Sequence, residues 1–109
     1  MSSSTHGWTL YVIDLKKNVL LGERFLAVNP EYISGKPCVY VGVTYLTAEE
    51  RFKQHMNGIH SARIVRNYGK RVRSRDCRIL RAMTRARAEK KEAAYAARLR
   101  KRGWGVWSN

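Results

Sequence analysis

The sequence of 109 residues is poor in proline, cysteine and acidic side chains, and it contains no long apolar run. No stretch approaches the roughly 20 apolar residues that a membrane-spanning helix needs, so we do not expect this chain to be an integral membrane protein. We expect no secretory signal and a disordered segment over 1–7, because the N-terminus is polar. Cys38 and Cys77 lie far apart and match neither a disulfide framework nor a zinc site. A reducing, cytoplasmic setting is therefore expected.

The scarcity of acids gives the chain a strong and uneven positive charge. Only 8 Asp and Glu oppose 22 Lys and Arg, which leaves a formal net charge of +14. Residues 1–50 hold four bases and five acids, whereas residues 51–102 hold 18 bases and three acids. Such a cationic half is typical of proteins that bind polyanions, and we favour nucleic acid. Charge alone also fits a solvated surface, a membrane-surface patch or a basic subunit of a ribonucleoprotein.

What the sequence does contain is an alternation of strand and helix patterns. β-branched and aromatic residues predict strands over 8–14 and 38–45, a looser third strand within 70–80, and a short final strand over 104–109. We expect one α/β domain over 8–109, with a small, mostly antiparallel central β-sheet flanked by helices.

A capping box predicts the first clear helix. Thr47 is followed three residues later by Glu50, so each side chain can satisfy an open backbone donor of a helix over 48–57. Phe52 and Met56 are four residues apart and would form the buried stripe of this helix.

Two further helices are indicated by their ends. A short helix is predicted over 62–68, started by Ser61 and ended by a glycine. The longest helix is predicted over 84–102, between Thr84 as the N-cap and Gly103 past the last turn. Proline is absent from this helix, and alanine and arginine dominate it.

The longest helix carries acids where a core-facing side chain is expected. At 100° per residue, Glu92 and Glu89 fall within an apolar arc that is formed by alanines, Tyr95 and Leu99. A carboxylate that faces a core is costly unless a cation, a metal or a hydrogen-bond network receives it. An ion pair with Arg85 or Arg100 is the structural interpretation, and a metal ligand is the functional one.

Several of these segments match a known family in order. Residues 10–12 read Leu-Tyr-Val, residues 40–42 read Tyr-Val-Gly, and Arg51, His55 and the segment 61–69 follow. This pattern resembles the paired motifs that name the GIY-YIG nuclease superfamily. The two motif tyrosines lie 29 positions apart. This long spacer, with an arginine and a histidine one helical turn apart, resembles its restriction-type members.

The resemblance implies hydrolysis of a phosphodiester bond with one divalent metal ion, Mg²⁺ or Mn²⁺. Tyr11 and Tyr40 would hydrogen-bond the attacking water and a phosphate oxygen, with Tyr11 as the general base. Arg51 would stabilise the transition state, and His55 would assist as a base or proton relay. Glu92 would be the single protein ligand of the metal, and Glu89 is left open as the alternative.

Each of these side chains also has an ordinary structural role, since tyrosines are common in strands and helix histidines are often surface residues. Their occurrence together in family order favours a metal-dependent DNA endonuclease. The alternative is a nucleic-acid-binding module on the same scaffold with little or no catalysis.

The remaining cations suit a duplex or branched DNA substrate, and we expect mainly phosphate contacts, which position DNA without reading its sequence. Specificity would come from the insertion over 15–37, from the loops or from a partner, and a homodimer or a place in a larger complex is left open. The predicted DNA-binding residues are Lys53, Arg63, Arg66, Lys70, Arg71, Arg73 and Arg75.

Overall fold

The computed structural model of the protein describes residues 7–80 and 82–108. Short 3₁₀ helices span Lys17–Leu21 and Ser74–Asp76. Of the segment predicted to be disordered, residues 1–6 lie outside the described residues, and Gly7 is buried. The strands and α-helices of the described residues are β1 (Thr9–Leu15), α1 (Glu23–Ala27), β2 (Cys38–Thr44), α2 (Ala48–Met56), α3 (Arg63–Tyr68), β3 (Gly69–Val72), β4 (Arg78–Ile79), α4 (Arg85–Lys101) and β5 (Gly105–Ser108).

The strands form one mixed sheet in the order β3-β1-β2-β5, and β4 also pairs with β1. β1 is antiparallel to β2, β3 and β4, whereas β5 runs parallel to β2. The predicted α/β class is confirmed, but the prediction of a mostly antiparallel sheet is corrected to a mixed one. The reason is α4, because this helical crossover carries the chain from the end of β4 back to the end of the sheet where β4 began, so β5 runs in the same direction as β4 and β2.

Both faces of the sheet are covered, so β1 is apolar along nearly its whole length. Alternate side chains of a strand point to opposite faces. Leu10 and Val12 pack with Leu99 of α4 on one face. Tyr11 packs with Val65 of α3 on the other. The candidate tyrosines and the candidate glutamate therefore approach from opposite sides of the sheet.

The predicted capping box of α2 is confirmed. The Thr47 hydroxyl accepts a hydrogen bond from the Glu50 N–H at 3.1 Å, and the Glu50 carboxylate accepts one from the Thr47 N–H at 2.9 Å. The predicted buried stripe is wrong at Met56, which is 41% exposed. His55 is buried in its place, because both of its ring nitrogens have hydrogen-bond partners inside the fold.

The other helices follow their predictions closely. α4 begins at the predicted Thr84 cap and ends before Gly103, whose φ of +87° suits a glycine. α3 lacks the predicted Ser61 cap. The single strand predicted within 70–80 is two short strands, because a 3₁₀ turn interrupts it. None of the described helices has the length and apolar character needed to cross a membrane.

The insertion over 15–37 holds β5 in place through a buried amide. The Asn29 Oδ1 accepts from the Val106 N–H at 2.8 Å, and the Asn29 Nδ2 donates to the Val106 carbonyl at 3.0 Å. Arg100 of α4 donates to both the Asn29 Oδ1 and the Val106 carbonyl. The insertion, α4 and the last strand are therefore joined by one network of hydrogen bonds.

Candidate active site

The Tyr11 ring lies over Gly42 of the neighbouring strand. The two residues are paired across β1 and β2. A Cβ atom on Gly42 would lie 2.6 Å from both Cζ and Oη of Tyr11. Only glycine leaves room for the phenol, so the glycine of the Tyr-Val-Gly segment is required by the tyrosine of the other strand.

The close approach at Gly42 predicts a large effect of a single methyl group. We expect Gly42→Ala to displace the phenol and to lower the free energy of unfolding by about 1–3 kcal/mol. Urea unfolding of the variant measures this loss. Gly22→Ala is the matched control, because its φ is −84° and its Cβ would meet only the Val19 carbonyl at 3.4 Å. Equal stability of the two variants would contradict this role of Gly42.

His55 is fully buried, and its hydrogen bonds define its tautomer. The Ala62 N–H donates to the His55 Nδ1 at 3.0 Å. The proton of the neutral ring is therefore on Nε2, which lies 2.9 Å from the Tyr11 Oη. Burial, and after it the charge of Arg51, lowers the pKa of His55 to about 4. His55 is thus a neutral ring that donates a hydrogen bond to the Tyr11 oxygen.

The lowered pKa of His55 predicts loss of stability in acid. The unfolded ring titrates near pH 6.5 and the folded ring near 4, so the unfolded chain binds more protons between these values. The contribution of the neutral His55 ring to the free energy of unfolding is fully present above pH 6.5, and it falls by about 2–3 kcal/mol by about pH 4.5. Urea unfolding at both pH values measures this fall. His55→Gln should show a smaller fall, and an equal one would contradict the assignment.

Tyr40 and Arg51 complete the surroundings of the Tyr11 hydroxyl. The two tyrosines are diagonal neighbours on one face, with ring centroids 6.0 Å apart, and the Tyr40 and His55 centroids are 5.5 Å apart. Burial raises the pKa of Tyr11 far above its usual range, Tyr40 raises it further, and Arg51 opposes both. The phenol of Tyr11 is therefore protonated at neutral pH, and its oxygen can both donate and accept.

Arg51 is held by the loop that follows α2. Its two terminal nitrogens donate to the Gln54 Oε1 at 3.0 Å, the Ile59 carbonyl at 3.3 Å and the His60 carbonyl at 2.8 Å. His60 has a φ of +43°, a left-handed conformation that is uncommon outside glycine. This strained turn presents two successive carbonyls to one guanidinium. The α2–α3 loop therefore fixes the position of Arg51.

Arg51 also lines a groove of about 590 Å³ at the edge of the sheet. In the described part of the chain, β5 pairs with β2 only as far as Val41. Beyond that point, side chains from the two faces of the sheet can approach each other around the edge of β2. The groove is lined by Trp8, Val43, Thr44, Tyr45, Leu46, Arg51, Gln54, His60, Arg85, Glu89 and Glu92.

Glu92 is the buried carboxylate of this groove. It is 4% exposed and shares the buried side of α4 with Ala88, Ala96 and Leu99, as predicted. Glu89 is exposed on the same groove. Among residues 7–80 and 82–108, no cluster of three His, Cys, Asp or Glu could hold a metal ion. One or two carboxylates still fit a hard cation that keeps most of its waters, as Mg²⁺ does.

The predicted DNA-binding cations differ in their pairing and in their exposure. Arg71 and Arg73 are paired with the buried Asp14 at 3.3 and 3.1 Å. Arg73 also pairs with Asp76 and lies 4.9 Å from the Trp104 ring centroid, with 21% of its side chain exposed. These pairings neutralise its charge and favour a structural role for Arg73, whereas its predicted DNA contact stays a prediction. Of the predicted set, the exposed members are Lys53, Arg63, Arg66, Lys70, Arg71 and Arg75.

The five predicted catalytic residues form two sets that share Arg51. Tyr11, Tyr40 and His55 are packed together, and none of them lines the groove. Glu92 and Arg51 both line the groove. The charge of Arg51 acts on Tyr11 and His55, so it connects the two sets electrostatically.

Comparisons with protein-family models, curated proteins and solved structures found no match to this chain.

Proposed function

We propose that the chain is a metal-dependent DNA endonuclease with a GIY-YIG type of active site. The observation that supports the proposal most strongly is the double position of Arg51. Arg51 lines the groove together with Glu92, and its charge also acts on Tyr11 and His55. A guanidinium held in this way suits the equatorial oxygens of a phosphate that is being attacked.

The hydrogen bonds of Tyr11 suggest how it handles a proton. Hydrolysis bonds a water oxygen to phosphorus, breaks the bond to the departing sugar oxygen, and leaves one water proton on each product. One lone pair of the Tyr11 oxygen accepts from the His55 Nε2–H. The other can accept a proton from the attacking water while the hydroxyl proton passes to a phosphate oxygen, from which it moves to the departing sugar oxygen.

This scheme changes the part expected of His55. The His55 Nδ1 accepts from the Ala62 N–H and its Nε2–H donates to Tyr11, so the ring has no free lone pair with which to take a proton from a water. His55 instead orients the Tyr11 oxygen and stabilises negative charge that develops on it. It is a positioning residue in this proposal, and the base or relay role is assigned to Tyr11 alone.

Glu92, with Glu89 on the rim, would hold one Mg²⁺ or Mn²⁺ ion. When bound, this ion supplies positive charge that stabilises the oxygens of the reacting phosphate. The scheme requires a path for the substrate phosphate to the Tyr11 hydroxyl, because Tyr11 is 2% exposed and Gly42 is buried. The exposed cations on α2, α3 and β3 would contact the flanking phosphates.

A metal-dependent cutting assay tests the proposal. We expect the purified protein to nick or cut duplex or branched DNA with Mg²⁺ or Mn²⁺, and we expect EDTA to stop the reaction. Arg51→Ala, purified identically, should be slower by about 100- to 1,000-fold, which also excludes a contaminating nuclease. Cutting that persists in EDTA or in Arg51→Ala would contradict the proposed site.

A nucleic-acid-binding module without catalysis is the second candidate. The burial of Tyr11 and His55, at 2% and 0% exposure, favours it, because a reacting group must reach its substrate. DNA binding without cutting of any duplex, branched or single-stranded substrate, with any metal, would support this candidate. A cytoplasmic location and a homodimer or larger complex remain proposals alongside either function.

A further inference from the structure

An aromatic stack forms one wall of the candidate groove. The rings of Trp8 and Tyr45 are stacked, with centroids 4.0 Å apart and planes 25° apart. The Arg85 guanidinium lies 5.5 Å from the Trp8 ring centroid. All three side chains line the groove that contains Arg51 and Glu92.

The lower part of this stack is fixed in the fold. Trp8 is 4% exposed, and its Nε1 donates to the Met83 carbonyl at 3.1 Å. The turn that carries Tyr45 is fixed by a hydrogen bond from the Leu46 N–H to the Thr44 hydroxyl at 3.1 Å. Tyr45 itself is 54% exposed. A large aromatic ring is thus presented to the groove on a rigid support.

We propose that Tyr45 is a stacking platform for an unpaired nucleobase next to the phosphate that is cut. This inference rests on the proposed nuclease function and names its substrate class, which is DNA with a flap, gap or bulge at the groove. A paired base inside a duplex is already stacked on its neighbours, whereas an unpaired base can place its face on an aromatic side chain.

Two guanidiniums and two carboxylates line the groove that contains the platform. Phosphates of the strand would meet Arg51 and Arg85, whereas Glu89 and Glu92 are the acids assigned to the metal. Stacking on an aromatic side chain uses the flat π-face of the base, which all four DNA bases have. The platform would therefore select unpaired structure with little selection for sequence.

Binding measured in EDTA tests the platform without any cutting. The probes are two duplexes of equal length, one fully paired and one with a single unpaired 2-aminopurine. We expect the protein to bind the second about 10-fold more tightly and to quench its fluorescence. Tyr45→Phe should keep both effects, because it retains the ring. Tyr45→Ala and Tyr45→Leu should lose both, and the leucine variant still covers Trp8 with an apolar side chain.

The outcomes separate this inference from the proposed function. Equal affinity for the two probes, or a preference that survives in Tyr45→Ala and Tyr45→Leu, would overturn the platform even if the protein cuts DNA. Loss of the preference in Tyr45→Phe would also overturn it, because the hydroxyl and not the ring would then be responsible. A preference that depends on the ring would support the platform even if no cutting is found.

Discussion

Replacement of Glu92 by glutamine is expected to lower the rate of metal-dependent cutting by more than about 100-fold. Loss of a residue that contacts a metal ligand, and not the metal itself, already lowers activity by up to about 100-fold, and loss of a direct ligand should cost more. Glutamine keeps the shape of a side chain that is 4% exposed and removes its charge. Affinity for DNA in EDTA should stay near that of the unchanged protein, since Glu92 holds the metal and does not contact phosphate in this account. Single-turnover cleavage and EDTA binding measure the two effects.

The controls for Glu92 come from acids that differ in position. Glu31→Gln, at an exposed residue of the insertion, should cut at the normal rate. Glu89→Gln tests the exposed carboxylate on the same groove. Loss of cutting in Glu89→Gln with retention in Glu92→Gln would move the metal site to the rim. Retention in both variants would contradict a carboxylate-held metal in this groove.

Tyr11→Phe is expected to slow cutting by about 100- to 10,000-fold, the range found for positioned proton-transfer groups. Phenylalanine keeps the ring that packs over Gly42 and removes the oxygen that accepts from His55. In this variant the buried His55 Nε2–H no longer has the Tyr11 oxygen as its acceptor, so we also expect the free energy of unfolding to fall by about 1–3 kcal/mol. Single-turnover cleavage and urea unfolding measure both.

Tyr32→Phe is the matched control for the phenol. The Tyr32 hydroxyl donates to the Lys36 carbonyl at 2.8 Å, and Tyr32 does not line the groove. Its removal should leave the cutting rate unchanged. A Tyr11→Phe protein that cuts at more than about a tenth of the normal rate would rule out Tyr11 as the proton-transfer group.

Local signals in the sequence were sufficient for the start of α2, for both ends of α4 and for the main strands. Thr47 with Glu50, and Thr84 with Gly103, act through hydrogen bonds and backbone angles within a few residues, so these patterns predict structure reliably. The parallel direction of β5 could not be predicted in this way. It depends on the path of α4 across the sheet and on the distant Asn29 amide.

The candidate site shows the same division. The sequence places tyrosines, an arginine, a histidine and a glutamate in order, but the burial of His55 depends on Ala62 and Tyr11, which only the fold brings near. Arg73 and Asp14, which form an ion pair, are separated by 59 positions in the chain. No pattern in either segment alone indicates that the charge of Arg73 is neutralised.

The central claim is that the buried tyrosine cluster and the glutamate of the groove act on one phosphate through Arg51. The most direct measurement is the single-turnover cutting rate of the double variant Tyr11→Phe/Glu92→Gln beside the two single variants. If both groups serve one transition state, the double variant should be about as slow as the slower single variant, since residues that act as a unit are not additive. Losses that multiply, or single variants that cut normally, would contradict a single shared site.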